Sequence, residues 1–268
     1  MSFTIKLGPA GSPGKSTLEG IPMIKEMGLH TMEVQFVRGV KMTNDLAKKC
    51  GDKAKELGID LSVHAPYYIN LTSEEKDKRK ASVKRILDSC ERAHYLGAKY
   101  VTFHPAYYGK YKKEDVFDAV KKSILDMKGV IKKNGWETEL APETTGRVKQ
   151  FGDIDESLRM MKETGCFLVI DFAHLFARNR GKIDYKEILD KVQDYKIKKI
   201  QCHFSGIEFG QGGERNHLVI SEDKPPFNPL AKELMDRKLS ATIISESPIT
   251  WKDSLKMKEI FKGLGYKF

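Results

Sequence analysis

The sequence predicts an α/β protein, a single (β/α)8 TIM barrel running through residues 1–268. Three observations carry that prediction. Eight short apolar runs alternate with amphipathic helical patterns. Several runs are almost continuously apolar, as parallel strands covered on both faces must be. Several of the helical patterns stop at a glycine just before the next run, where glycine relieves the cost of a left-handed closing turn.

The strand-like runs cover 3–7, 31–36, 61–64, 100–104, 137–142, 166–171, 199–204 and 241–246. The helical patterns between and after them cover 16–27, 44–57, 74–96, 113–133, 155–163, 185–192, 229–237 and 251–264. In the first, Leu18, Ile21, Ile24 and Met27 recur at the spacing of one helical face. Gly28, Gly58, Gly97 and Gly165 supply the stops. An open doubly wound sheet is the alternative, but such sheets rarely need eight regular repeats. The stretch 205–226 breaks the rhythm. It is too long for a plain connection and is expected to be a functional loop without helix or strand.

Composition narrows the partners. Lysine and arginine number 47 against 37 acids, a net charge of +10, and such an excess attracts polyanions, although many basic proteins bind none. No apolar run approaches a membrane span, and the first residues lack the apolar stretch of a signal peptide, so a soluble cytoplasmic protein is expected. Cys50, Cys90, Cys166 and Cys202 are far apart and form no C-x-x-C pair, which reads as reduced, buried thiols. The segment Gly8 to Ser16 imitates a phosphate-binding loop. Pro9 stands where that motif needs its first glycine and Pro13 removes another N–H donor, so a tight turn capped by Ser16 or Thr17 is the better reading.

The chemistry concentrates at strand ends. His64 and His104 close the third and fourth runs, Glu143 follows the fifth, Asp171 and His174 end the sixth, His203 lies in the seventh and Glu246 ends the eighth. In a barrel the carboxyl ends of all strands face one basin, so these residues become neighbours. Singly, any of them could be an ordinary hydrogen-bonded side chain. Together, three carboxylates in a partly desolvated cup would repel one another unless cations intervened, and a His/Asp/Glu set without cysteine suits zinc or manganese. His30 and His94 fall outside the pattern and read as structural.

The segments His64-Ala-Pro-Tyr-Tyr-Ile-Asn-Leu, Phe103-His104-Pro, Pro142-Glu143-Thr-Thr-Gly, Ile170-Asp171-Phe-Ala-His174, His203-Phe-Ser-Gly and Ser245-Glu246-Ser-Pro resemble endonuclease IV, a family of abasic-site DNA endonucleases. The resemblance implies a xylose-isomerase-like barrel and three zinc ions. His64, His104 and Glu143 would hold the first, with Glu143 bridging to a second completed by Asp171, His203 and Glu246. His174 would belong to the third, with partners from the long loop. There the family pattern is Asp-x-His, whereas this chain reads Gly213-Glu214-Arg215-Asn216-His217, so Glu214 and His217 are the expected ligands at an altered spacing. The implied reaction is metal-assisted hydrolysis of damaged duplex DNA on the 5′ side of an abasic site, in base-excision repair, with Glu143 as bridge and Glu246 helping to orient the nucleophile.

Basic and aromatic residues on the same face suit a phosphate track with stacking side chains. They include Arg38, Tyr67, Tyr107, Lys110, Arg147 and Arg178, although solvated surface lysines and arginines explain many such runs. The competing readings are a metal-dependent sugar or sugar-phosphate isomerase or epimerase of the same barrel type, a binding module with an ancestral metal site, and a structural protein. A monomer is expected. The ligand set fits zinc, manganese or iron without choosing among them.

Overall fold

The computed structural model describes residues 3–268. In chain order the elements are β1 (Ile5–Pro9), α1 (Thr17–Glu26), β2 (Thr31–Gln35), α2 (Asn44–Leu57), β3 (Asp60–His64), α3 (Lys76–Leu96), β4 (Tyr100–Phe103), α4 (Lys113–Lys133), β5 (Glu139–Pro142), α5 (Ile154–Thr164), β6 (Val169–Asp171), α6 (Phe172–Arg178), α7 (Tyr185–Asp194), β7 (Lys199–Phe204), β8 (Gly206–Gly210), β9 (Gly213–Leu218), α8 (Phe227–Asp236), β10 (Ser240–Ser245) and α9 (Trp251–Gly263).

Local chemistry sets the boundaries. The Ser16 hydroxyl accepts the Glu19 N–H and starts α1, which is the role the imitation phosphate loop was expected to have. Gly58 and Gly97 close α2 and α3 at φ 69° and 63°, a conformation that would strain a residue with a Cβ.

Two parallel sheets build the barrel, β2-β3-β4-β5 and β1-β10-β7-β6. They join at two seams, where Ala10 bridges Glu33 and Glu143 bridges Val169. Gly11 donates to the Glu33 carbonyl at 2.8 Å and Thr144 to the Val169 carbonyl at 3.1 Å, so the ring of eight strands is closed. The expected (β/α)8 barrel is the observed one, and both seams fall at acidic residues of the upper mouth. One large apolar cluster joins strand residues such as Val63, Val101 and Ile243 to helix residues such as Ile21, Ile24, Ile86 and Phe261. All four cysteines are free and buried. Among the described residues no helix is long and apolar enough to cross a membrane.

Three expectations need correction. The stretch 205–226 is not irregular: β8 and β9 pair antiparallel as a hairpin, with a bulge between Glu208 and Phe209 that hides the strand period in the sequence. A short helix, α6, follows β6 directly because Asp171 ends the strand and caps the helix, its Oδ1 accepting the His174 N–H at 2.6 Å. The first strand lies two residues later than expected, since its pairing with β10 runs on to Pro9 opposite Ser245.

Candidate metal centre

Alternation along each strand decides what faces the barrel axis. On β7, Lys199, Gln201 and His203 share one face, and on β3 so do Asp60, Ser62 and His64. The upper members of each series meet at the carboxyl ends of the strands, where β4 and β5 add His104 and Glu143 just beyond their last residues.

Glu143 is the centre of the arrangement. Its Oε2 lies 3.2 Å from His64 Nε2 and 3.0 Å from His104 Nε2, while its Oε1 lies 2.8 Å from His203 Nδ1. One carboxylate thus turns its two oxygens towards different imidazoles. Glu246 makes a second link, 3.5 Å from His203 Nδ1 through one oxygen and 3.9 Å from His217 Nδ1 through the other. The ligand atoms fall into three groups that could each hold a metal ion: His64, His104 and Glu143; Glu143, Asp171, His203 and Glu246; and His174, His217 and Glu246. Glu214 stands beside the last group, its Oε2 3.1 Å from His174 Nε2. Asn216, one residue before His217, is exposed and donates to Glu208.

The imidazoles are aimed by what holds their other nitrogen. His64 Nδ1 donates to the Ala65 carbonyl at 2.8 Å and His174 Nδ1 to the Thr144 carbonyl at 3.0 Å, which leaves each Nε2 free for the cleft. His203 is reversed: its Nε2 donates to Glu33 at 3.2 Å and its Nδ1 faces Glu143. Glu33 was not among the expected site residues. It is fully buried on β2 and also accepts from Ser62, Thr102 and Gln35. The second run does carry a lone acid among apolar neighbours, Thr31-Met32-Glu33-Val34, and an acid inside a buried strand was the signal that could have exposed it.

Electrostatics fit the donor set to divalent cations. Burial alone would push the His64 imidazole down, but Glu143, Glu33 and Glu246 outweigh it and hold it at about 9. His174, likewise buried, is held at about 10 by Asp171, Glu214, Glu143 and Glu246. Burial raises Glu143, yet His203 and His104 keep it well below the usual carboxylate range. Burial pushes Asp171 up. Protons therefore do here what a cation would do. Two acceptors are left over even so: Asp171 Oδ2 and Glu214 Oε2 are buried with no hydrogen-bond partner, the latter close to His174 but out of alignment with it. Orphaned carboxylate oxygens beside imidazoles are what a metal ligand set presents.

A cleft of about 580 Å3 opens above these groups, lined by His64, His104, His174, Glu214, His217 and Glu246 and by Tyr67, Tyr107 and Arg147 at its rim. Tyr67 is 60% exposed, and Tyr107 and Arg147 are also exposed. Arg38 is exposed on a neighbouring groove that shares Gln35 and Val37 with the cleft. Lys110 projects into solvent and pairs with Glu74 at 3.0 Å. Arg178 departs from expectation. It is buried, and its guanidinium donates to the carbonyls of Arg147 at 2.8 Å and Gln150 at 2.9 Å and to the Tyr108 hydroxyl at 3.2 Å. It is a clamp on the loop that presents Arg147, with no surface to offer a phosphate. The loop also explains the glycine of the Glu143-Thr-Thr-Gly146 segment, because a Cβ on Gly146 would lie 2.2 Å from the Glu214 carboxylate. His30 and His94 accept the backbone N–H groups of Leu7 and Glu137, away from the cleft.

A family model described as a xylose isomerase-like TIM barrel matches residues 21–262. A protein of Methanocaldococcus jannaschii, itself described as uncharacterized, is 38% identical over 269 residues, 96% of this chain and 97% of the relative. A probable endonuclease 4 of Campylobacter concisus is 25% identical over 237 residues, 78% of each chain. Among solved structures, endonuclease IV from Thermus thermophilus matches with a TM-score of 0.75 at 17% identity, covering 97% of this chain and 98% of that one. A D-tagatose 3-epimerase-like protein matches with a TM-score of 0.71 at 20% identity, covering 96% of each. At such identities the two structural matches establish the shared barrel fold alone.

Proposed function

The chain belongs to the xylose isomerase-like TIM barrel family, and we propose that within it this protein is a metal-dependent phosphodiesterase cutting DNA on the 5′ side of abasic sites. The observation that carries this reading is the presence of three candidate ligand groups linked through Glu143 and Glu246, where a sugar isomerase would need fewer. Sequence relatives named as probable endonuclease 4 support the same reading. Zinc suits the donors, and manganese or iron would be accepted by the same set. A cytoplasmic monomer acting in base-excision repair goes with it.

Bound cations would supply Lewis acidity at phosphorus and water of lowered pKa at neutral pH. The chain's own residues prepare the place. Glu143 sets the spacing between the first two groups, since its two oxygens face opposite ways. Glu33 fixes the rotation of His203, and the carbonyls of Ala65 and Thr144 fix those of His64 and His174. Glu246, on the opposite strand end, can orient an attacking water. Glu33, Glu143, Asp171 and His203 are buried almost completely, so every charge interaction among them is stronger than in water. On the rim, Arg147 offers a cation to a backbone phosphate, Arg38 continues the positive edge, and Tyr67 and Tyr107 offer faces for stacking where a base is missing.

A second reading has one specific observation in its favour. Glu143, Asp171, His203 and Glu246 form a four-donor group complete enough for a single metal, with two glutamates placed to move protons on a sugar. The test is direct: a duplex bearing one abasic site is incubated with the protein, with and without a chelator. Chelator-sensitive scission on the 5′ side of the lesion is the expected result. Intact DNA, together with interconversion of ketose sugars, would sink the nuclease reading and carry the isomerase.

A further inference from the structure

The barrel has a second mouth, at the amino ends of its strands, and nothing in the proposed reaction uses it. A cavity of about 580 Å3 opens there, equal in size to the cleft above the metal groups and within the range that holds small ligands. It reaches up the barrel axis to Ser62, Gln201 and Thr242, below the layer that carries His203.

Its lining is cationic and lacks matching acids. Lys48, Lys55, Lys99 and Lys199 all line it, and among the described residues none of them forms a salt bridge. Of the two acids in the wall, Asp60 is taken by Lys6, which leaves Asp52. Lys199 stands at the exposed start of β7, and partial desolvation together with Lys6 and Lys99 holds its ammonium below the usual lysine range, although Asp60 opposes the shift. The deeper wall adds an independent sign. Gln201 is only 3% exposed, yet its amide Nε2 has no hydrogen-bond partner. A buried amide donor facing a cationic cavity is aimed at an acceptor that arrives from outside.

We propose that this lower mouth is a binding site for a small oxyanion, a phosphate monoester, with Lys99 and Lys199 as its cations and the Gln201 amide as its deepest donor. The cavity is larger than phosphate alone requires, and Tyr95 and Tyr100 in the wall give an attached sugar an apolar surface. The site goes beyond the nuclease reading and does not depend on it.

Calorimetric titration of the full-length protein with deoxyribose 5-phosphate, inorganic phosphate and uncharged deoxyribose tests the proposal. One phosphate-bearing ligand should bind per chain, and deoxyribose should not. Tighter binding of the sugar phosphate assigns the monoester; equal binding of inorganic phosphate assigns the free ion to the same oxyanion site. The double variant Lys99→Gln/Lys199→Gln should weaken binding by about tenfold or more, with metal content and abasic-site scission unchanged. Gln201→Glu, which keeps the side chain's shape and adds a negative charge at the floor, should abolish binding independently of the lysines. Absence of binding up to about 10 mM, or binding that survives both variants, overturns the proposal.

Discussion

The candidate ligands at the strand ends and those on the hairpin are the same residue types on unlike supports. Glu143, Asp171 and His203 are anchored at parallel strand ends, nearly without exposure, and the buried Glu33 carboxylate holds the His203 ring. Glu214 and His217 ride on β9, in a two-stranded ribbon outside the barrel that is held by a small apolar contact set, Ile207 and Phe209 against Ala173, Phe176 and Ala177 of α6, and by backbone hydrogen bonds to Gly146 and Val148. His217 keeps 29% of its side chain in solvent. The difference teaches where the candidate groups draw their support: the first two lie wholly on the barrel, and the third takes one of its three members, His217, from the hairpin.

The largest effect should break the comparison at its strongest point. Glu143→Gln removes a charge shared by two groups, so metal content should fall and scission should drop by about 10^3 or more, while circular dichroism and the melting temperature stay near wild type. Normal turnover would be incompatible with Glu143 as the bridge. Next, His217→Ala should remove one metal per chain and lower kcat by about 10^2, leaving the strand-end metals in place. Loss of all metals in that variant would show that the hairpin and strand-end groups load as one unit.

A smaller effect sharpens the contrast. Glu33→Gln keeps the volume and one acceptor but loses the charge that fixes His203, and should weaken metal binding by about 10- to 100-fold, as read by competition with a chromogenic chelator. Wild-type affinity would reduce Glu33 to a packing residue. The smallest catalytic effect belongs to Arg178. Arg178→Met strands the carbonyls of Arg147 and Gln150 and should cost about 2 kcal/mol of stability in urea unfolding, while metal content is unchanged. If the main change were instead in the salt dependence of DNA binding, Arg178 would be a phosphate contact after all.

Much of the fold is legible in the sequence, for a definable reason. Barrel strands are buried on both faces, so their apolar runs stand out, and most helix bounds follow from periodicity and closing glycines. The strand-end histidines and acids were visible because polar residues closing apolar runs are rare and six came in succession. What escaped depends on neighbours distant in sequence. Arg178 reads as one of three cations in a short stretch, yet its role is set by the carbonyls of Arg147 and Gln150, some thirty residues earlier. Glu33 has no partner in its own strand but Gln35; Ser62, Thr102 and His203 meet it only once the barrel closes. The hairpin was hidden by a bulge and by four glycines, Gly206, Gly210, Gly212 and Gly213, which resemble a loop in composition.

Zinc-edge anomalous scattering from crystals of the metal-loaded protein addresses the central claim most directly. Three peaks should be found, one at His64, His104 and Glu143, one at Glu143, Asp171, His203 and Glu246, and one at His174, His217 and Glu246 beside Glu214. A single peak at the four-donor group, with His64 and His217 unliganded, would contradict the account.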